Sequence, residues 1–422
     1  MSTHIAIRNK ILKICSPRLA SGLELNLIAI TLFVLPSYEA PKNIISILFL
    51  VVWLYRAYIT KSIGVSSPFF WPIFFLAFIL WISPLYSSEF FEVEWSSGGR
   101  WSLLALFVLA AGRLSYTSAH VNYLFSALMF GGVWAIYQSL YIMYVTGAPF
   151  PEMRSVGHVN HSSMYTLVVL AVGLGALFSR CRMLIVIGTI SVAASLLFAP
   201  ASKSIVGAIS IALILLISVY LNFNRSNAHI KYTIFISVVA FLLIVFLAPW
   251  SVGIQDELIN LIQTGDIFSG RDKIFRAALL VWGNHPLIGT GWFSFGPVTS
   301  EVAVQAELEL LGEIYDPARY LHVPHGHNLF LTILIERGLF GVAILFLLLY
   351  RYLRFFVPIA KNNYDLPKLD RAVAISAVLV VVGFIVAGFG NTTMMNEHGH
   401  AGMAIVSIAG AYLDRRNSFA RD

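Results

Sequence analysis

Three histidines lie close together in the stretch Leu321-His-Val-Pro-His-Gly-His-Asn, just before a long apolar segment. The last of them, His327, is followed by Asn328 at the point where an apolar helix would begin. A histidine can act as a general base near neutral pH, and a helix N-terminus favours a nearby anion. We therefore predict His327 as the catalytic base, with His325 and Asn328 in its pocket. The alternative is that His327 only caps the helix.

A metal site is another use of closely spaced histidines, and His398 and His400 could join this group. The spacing does not form a defined zinc signature. No carboxylate lies within the cluster itself. We therefore expect no metal ion. The acidic residues Glu336 and Glu397 could orient the histidine or an acceptor sugar.

Cations form a second group of candidates, in the stretch Ser269-Gly-Arg-Asp-Lys-Ile-Phe-Arg. The pattern predicts a short helix from Arg271 to Trp282, which would carry Arg271 and Arg276. A guanidinium group suits the oxygens of a diphosphate. The alternative is an amphipathic helix whose arginines contact lipid headgroups.

Two weaker polar groups accompany these stretches. Lys203 is a lone cation between two apolar blocks, and it either pairs with lipid headgroups or lines a pocket. Arg154, His158 and His161 precede another apolar segment, where they form either a pocket wall or an ordinary helix cap. Ionisable groups at membrane depth are costly, so all of them are candidates for function.

Composition indicates that a lipid bilayer surrounds these residues. The chain has 422 residues, of which 58% are hydrophobic and 12% are charged, against about 25% charged in soluble domains. The apolar residues form about twelve blocks, which predict transmembrane helices. These blocks lie near residues 23–38, 43–60, 67–86, 100–113, 121–146, 161–179, 183–199, 204–222, 231–249, 328–350, 371–391 and 400–413.

Charge distribution predicts the orientation. With the N-terminus in the cytoplasm and the segments alternating, most of the 28 basic residues fall inside, as the positive-inside rule requires. Both termini are then cytoplasmic, and the long segment 251–327 lies outside. We predict an all-α integral membrane fold with a transmembrane bundle over 1–250, this large helical loop over 251–327, and a second bundle over 328–422. A second loop helix is predicted over Val302–Ile314.

The net charge of +7 does not indicate a nucleic-acid partner. The basic residues sit in short loops between apolar blocks, and no basic stripe with interleaved aromatic residues is present. The usual excess of Lys and Arg in the cytoplasmic loops of membrane proteins explains this net positive charge. We expect membrane lipids to surround the protein.

Three of these patterns together resemble the O-antigen ligase and polymerase superfamily. The most specific is His327-Asn328, nine residues, then Gly338-x-x-Gly341. The second is Ser269-Gly-Arg leading to His285-Pro-Leu-Ile-Gly-Thr-Gly, and the third is Ser202-Lys-Ser, where the family usually has an arginine.

The resemblance implies a GT-C-like fold and an O-antigen ligase in the bacterial inner membrane, with its active site in the periplasm. Such enzymes transfer a glycan from undecaprenyl diphosphate to lipid A-core by inverting glycosyl transfer that needs no metal or other cofactor. His327 would deprotonate the acceptor hydroxyl. The cations Arg271, Lys203, Arg276 and Arg154 would bind the diphosphate, and His325, Asn328, His158, His161 and Glu397 would complete the pocket.

Three alternatives remain open from the sequence. An O-antigen polymerase of the same superfamily differs only in its acceptor. A transporter of lipid-linked sugars would have internal repeats and polar groups at the membrane midplane, whereas this chain has no repeat and gathers its polar groups at one face. A scaffolding protein with an inert histidine-rich loop is the third.

Overall fold

A computed structural model of the protein describes most of the chain. The residues it describes are 17–65, 67–86, 95–179, 181–198, 205–221, 239, 245, 251–265, 270–291, 294–323, 325–361, 366–394 and 396–419.

The described residues fold almost entirely into helices, with one isolated β-bridge between Met153 and Gly157. Within these ranges we number fifteen helices in chain order. They are α1 (Pro17–Val34), α2 (Glu39–Thr60), α3 (Phe70–Tyr86), α4 (Trp95–Ala111), α5 (Ser118–Thr146), α6 (Val159–Ala176), α7 (Arg182–Phe198), α8 (Ile205–Tyr220), α9 (Val252–Thr264), α10 (Arg271–Trp282), α11 (Phe295–Val298), α12 (Glu301–Leu310), α13 (Leu329–Lys361), α14 (Lys368–Ala387) and α15 (Asn396–Phe419).

Several of these helices are long and apolar enough to cross a membrane. Among the described residues five meet that criterion, namely α2, α5, α6, α13 and α14, and five shorter apolar helices accompany them. This composition is that of an integral membrane protein, as predicted. The predicted segment 231–249 lies outside the described residues except for positions 239 and 245. The count of twelve spans, the orientation and the three-part division of the chain stay predictions.

Helices α6 and α14 form the centre of the bundle. In the most apolar 18-residue stretch of each of these helices, 89% of the residues of α6 and 78% of those of α14 are buried. In the corresponding stretch of α2 only 11% of the residues are buried, and this helix therefore faces lipid. Small residues let these helices approach closely. A Cβ atom on Gly175 of α6 would lie 2.7 Å from the Ala372 carbonyl oxygen of α14.

The long helix α13 is broken near its start. Its 33 residues would span about 50 Å as one rod, well beyond the ~30 Å of the hydrocarbon layer. Gly338 has φ 62° and ψ −165°, which interrupts the helix after its first nine residues. The predicted helix therefore begins after Asn328, but it is interrupted at Gly338.

The segment 286–291 fills this break with backbone hydrogen bonds. The N–H groups of Leu339 and Phe340 donate to the carbonyls of Pro286 (2.9 Å) and Leu287 (3.1 Å). In the other direction, the N–H groups of residues 290 and 291 donate to the carbonyls of residues 335 and 336, at 2.8 and 2.9 Å. A broken membrane helix needs such partners for its freed backbone groups. The predicted glycine-rich turn thus attaches the outer loop to α13.

The helices of the predicted outer loop have small cores of their own. Helix α10 has the predicted bounds, and it buries Ile274 and Ala278 against Ile335 of α13. Leu279, which follows Ala278, is 50% exposed. Positions 277 and 281 are buried instead, because the buried face follows the 3.6-residue helical period.

Helix α12 ends earlier than predicted. It stops at Leu310 rather than at Ile314, because Gly312 takes a left-handed conformation with φ 71°. The Glu313 N–H then donates to the Leu308 carbonyl (2.8 Å), as in a Schellman end. Helices α9 and α11 of the same loop were not predicted.

Replacing Gly338 should destabilise the protein. In Gly338→Ala the new Cβ would lie 2.3 Å from both the carbon and the oxygen of the Leu287 carbonyl. The alanine would also have to adopt the positive φ of Gly338, which costs about 1–3 kcal/mol of backbone strain. Thermal unfolding in detergent micelles measures the effect. The control is Gly147→Ala, because Gly147 also has a positive φ (67°) but no atom within 4 Å of the added Cβ. Equal losses of Tm in both variants would contradict the docking of the turn into the break.

Candidate active site

Four histidine rings from three parts of the chain form a continuous group. The ring centroids of His327 and His325 are 4.3 Å apart, and those of His325 and His161 are 5.4 Å apart. His161, on α6, is also 5.6 Å from His398 of α15. The loop before α13, helix α6 and helix α15 therefore meet at this histidine cluster, which we define as His161, His325, His327 and His398.

Asn328, rather than His327, caps helix α13. The Asn328 side-chain oxygen accepts a hydrogen bond from the Leu331 N–H (3.0 Å), and its side-chain amide donates to the Phe389 carbonyl (3.1 Å). The simple capping alternative for His327 is therefore wrong. His327 precedes the cap in a left-handed conformation with φ 45°. Such a conformation is uncommon outside glycine, and it often occurs at functional sites.

His327 is held as a neutral imidazole. Burial, together with the positive charges of His325 and Arg271, lowers its pKa to about 3. Burial also lowers the pKa of His325, together with the charge of His158. At neutral pH both rings therefore carry a free lone pair, and His327 can accept a proton.

Arg271 is the cation nearest in effect to His327, because its charge contributes to the pKa of that ring. It is the first residue of α10, after Gly270 in a left-handed conformation. Its side chain is 16% exposed, and Nη1 lies 3.8 Å from a carboxylate oxygen of Glu257. A guanidinium at a helix N-terminus is well suited to bind an anion.

The structure does not place the other predicted cations beside His327. Arg276 is half exposed, and its Nη2 lies 3.6 Å from Oδ2 of Asp272, one turn earlier on the same helix. It is five residues from Arg271, so the two side chains project about 140° apart around α10. Arg154 is exposed on the loop before α6. Lys203 lies outside the described residues. The roles given to these three cations stay predictions.

Of the remaining predicted pocket residues, one caps a helix and another belongs to the histidine cluster. His158 is the cap of α6, since its Nδ1 accepts from the Asn160 N–H (3.2 Å). The Asn396 side-chain amide lies 3.2 Å from Nδ1 of His161. Because the amide donates here, a neutral His161 ring carries its proton on Nε2. Asn396 also has a left-handed conformation, with φ 58°.

Glu397 is paired with a buried lysine that the sequence analysis did not select. The Nζ of Lys42, on α2, contacts carboxylate oxygens of Glu397 and Glu39, and it donates to the Ser155 hydroxyl (2.9 Å). The Lys42 side chain is only 2% exposed. These contacts join α2, the loop before α6 and the start of α15. The available signal was a lysine at the edge of an apolar segment, where a charge is costly.

Glu336 does not contact the histidine cluster in the way we considered. Its side chain is 2% exposed, and its Oε2 has no hydrogen-bond partner among the described residues. The same part of the chain contains no group of three or more histidine, cysteine or acidic side chains arranged to hold a metal ion.

An all-helical bundle with apolar spans and a polar site at one set of helix ends defines a membrane-embedded protein. Its site joins neutral imidazoles to a guanidinium at a helix N-terminus. This combination suits a reaction in which a proton is removed beside an anionic group.

Residues 165–346 match the family model described as O-antigen ligase. The match runs from α6 to the middle of α13, and it includes Arg271, His327 and the turn that docks into the break. This match confirms the resemblance to the O-antigen ligase superfamily that the sequence motifs predicted. Members of this family are glycosyltransferase-like enzymes, both ligases and polymerases. No curated protein matches the chain.

The protonation state of His327 can be tested with diethyl pyrocarbonate, which reacts only with the neutral imidazole. An ordinary histidine, with a pKa of about 6.5, becomes protonated and stops reacting as the pH falls from 7 to 5. His327, with its pKa lowered to about 3, should stay reactive over this range. Mass spectrometry of the labelled peptide gives the rate, with N-acetylhistidine as the reference. A decline of His327 labelling in parallel with the reference would contradict the neutral state.

Removing Lys42 should destabilise the protein by leaving a carboxylate uncompensated. Breaking a buried ion pair from one side typically costs about 3–5 kcal/mol, so Lys42→Met should lower the free energy of unfolding by that order. Lys42→Met/Glu397→Gln should recover part of the loss, because no charge is then stranded. Denaturant titrations in micelles measure both variants, with the exposed Lys61→Met as the matched control. Additive losses in the double variant would contradict the pairing.

Proposed function

We propose that the protein is an O-antigen ligase that transfers a glycan from undecaprenyl diphosphate to lipid A-core. The reaction takes place at the periplasmic face of the bacterial inner membrane, and both chain termini are in the cytoplasm. The observation that carries this proposal is that the segment matching the family contains both His327 and Arg271. His327 is a neutral imidazole at the start of α13, and Arg271 is a guanidinium at the N-terminus of α10 whose charge contributes to the low pKa of His327.

In the proposed step an acceptor hydroxyl attacks the anomeric carbon of the carrier-linked sugar. The new bond joins the hydroxyl oxygen to that carbon, and its proton passes to the neutral His327 ring. The bond between the anomeric carbon and the diphosphate oxygen breaks, and undecaprenyl diphosphate leaves with the electron pair. Attack opposite to the leaving group inverts the anomeric configuration. Arg271 stabilises the negative charge that develops on the diphosphate.

The low pKa of His327 fits an anionic substrate. A nearby negative charge favours the protonated imidazole and raises its pKa. The carrier diphosphate would thus oppose the effect of Arg271 and make His327 a stronger base when substrate is bound. Catalytic bases work best when their pKa lies near the working pH, so substrate binding itself would bring His327 towards that range.

The remaining candidates have supporting positions around this pair. Asn328 and the Gly338 break would hold His327 at the start of α13. His325, His161 and His158 would form the polar wall beside it. Arg276, Lys203 and Arg154 are proposed as further diphosphate contacts, and Glu397 acts only through its pairing with Lys42. The proposed transfer needs no metal ion or other cofactor.

A transfer assay tests the proposal. It uses the purified full-length protein, undecaprenyl-diphosphate glycan, lipid A-core and EDTA. Wild type should form the ligated product. His327→Ala should lose about 10²–10⁴-fold in rate, as expected for a missing general base. Arg271→Ala should be at least about tenfold slower, since charge-assisted hydrogen bonds contribute about 1.5–3 kcal/mol. The matched control is His322→Ala, an exposed histidine of the same loop.

The outcomes separate the alternatives. Glycan chain growth on the carrier, without transfer to lipid A-core, would identify a polymerase. Movement of labelled carrier lipid across the membrane without transfer to either acceptor would identify a transporter. Full activity of His327→Ala would remove the assigned base and return the histidine-rich loop to an inert role. Loss of activity with EDTA would contradict the metal-independent mechanism.

A further inference from the structure

Arg337 is a buried cation that the proposed transfer does not use. The residue is 7% exposed, at the break in α13. Its Nε has no hydrogen-bond partner among the described residues, and within the same residues its guanidinium forms no ion pair. Lys42, the other buried cation near this side of the bundle, has two carboxylates and a hydroxyl around it.

A buried charge without a partner is strongly unfavourable. Glu336 is adjacent in sequence and also buried, but its side chain projects about 100° away around the helix. The two side chains form no ion pair, and Oε2 of Glu336 has no hydrogen-bond partner in the described part of the chain. Glu336 interacts with Arg337 only through its charge, without a hydrogen bond, so the Nε–H group of Arg337 is left to bind another anion.

The surroundings of Arg337 indicate which kind of anion. It lines a cavity of about 60 Å³, in which His400 is the other polar side chain. The remaining lining residues are apolar and come from four helices or their flanking turn, among them Leu76 and Leu80 of α3, Val108 of α4 and Ile333 of α13. A ligand for this cavity therefore needs one anionic group and an apolar portion.

This cavity is separate from the histidine cluster. His398 belongs to the cluster, whereas His400 lines the cavity. Two residues correspond to about 200° around a helix, so the two rings leave α15 on nearly opposite sides. An anion bound at Arg337 would be a second ligand, next to the proposed diphosphate site but not within it.

We propose that the cavity binds the phosphate of a lipid. The guanidinium of Arg337 binds the phosphate oxygens, for which its planar set of donors is suited. The apolar chain of the lipid lies against α3 and α4. This lipid is either the polyprenyl carrier or a glycerophospholipid, and both have the same recognised chemistry.

Native mass spectrometry of the full-length protein in detergent tests this site by counting bound lipid. The probes are undecaprenyl phosphate and dioleoyl phosphatidic acid, with dioleoylglycerol as the phosphate-free comparison. Arg337→Met should bind both phosphate probes about tenfold more weakly, or worse. Arg354→Met is the matched control, because Arg354 is an exposed cation of the same helix. It should bind the probes as wild type does.

A second variant keeps the cation and fills the space. Ala105 lines the cavity, so Ala105→Leu should also weaken binding of both phosphate probes. If Arg337→Met does not fold, this variant decides the question alone. A preference of wild type for undecaprenyl phosphate would identify the carrier as the source, and a preference for phosphatidic acid would identify a phospholipid.

Two results would overturn the site. The first is equal binding of dioleoylglycerol and phosphatidic acid by wild type. The second is unchanged binding of the phosphate probes by the folded variants. Because the experiment counts lipid and not glycan transfer, its failure leaves the proposed ligase activity untouched.

Discussion

The architecture of the site depends on the requirement that backbone groups at a membrane find hydrogen-bond partners inside the protein. Helix α13 is interrupted at Gly338, and the interruption would leave carbonyl and N–H groups without partners. Four hydrogen bonds from the segment 286–291 satisfy them. The same contacts attach the outer loop to the first turns of α13. This loop contains α10, whose first residue is Arg271. His327, which immediately precedes the cap of that helix, is held in the same unit.

Charge is distributed over this unit in an uneven way. The rings of the histidine cluster are partly or fully buried. Arg271 adds a positive charge that acts on His327. Glu397 is the acidic residue closest in sequence to the cluster on α15, and Lys42 already pairs with it. The site therefore combines a neutral base with a guanidinium whose nearest carboxylate oxygen, on Glu257, lies 3.8 Å away. A diphosphate would add negative charge beside His327 and so raise the pKa of this base.

Lys42 and Arg337 show two ways of burying a cation. Lys42 is compensated by Glu39, Glu397 and Ser155, and its contacts join three parts of the bundle around the start of α15. Asn396 lies immediately before Glu397, so this junction also supports the contact from Asn396 to His161. Arg337 has no such partners among the described residues, and it faces a small cavity with apolar walls. The first arrangement stabilises structure, and the second is suited to bind a ligand.

Local patterns determined much of this protein from the sequence alone. Apolar blocks located most of the described spans, and the helical period gave α10 its bounds, because both depend on neighbouring residues. The pair His327-Asn328 was assigned to the start of α13 for the same reason. Only the tertiary structure decided that α13 breaks at Gly338, that Arg276 lies on another side of α10 from Arg271, and that Lys42 pairs with Glu397. It also brought His161 and His398 to His325. These contacts join residues far apart in the chain, and local spacing contains no information on which distant helices will pack together.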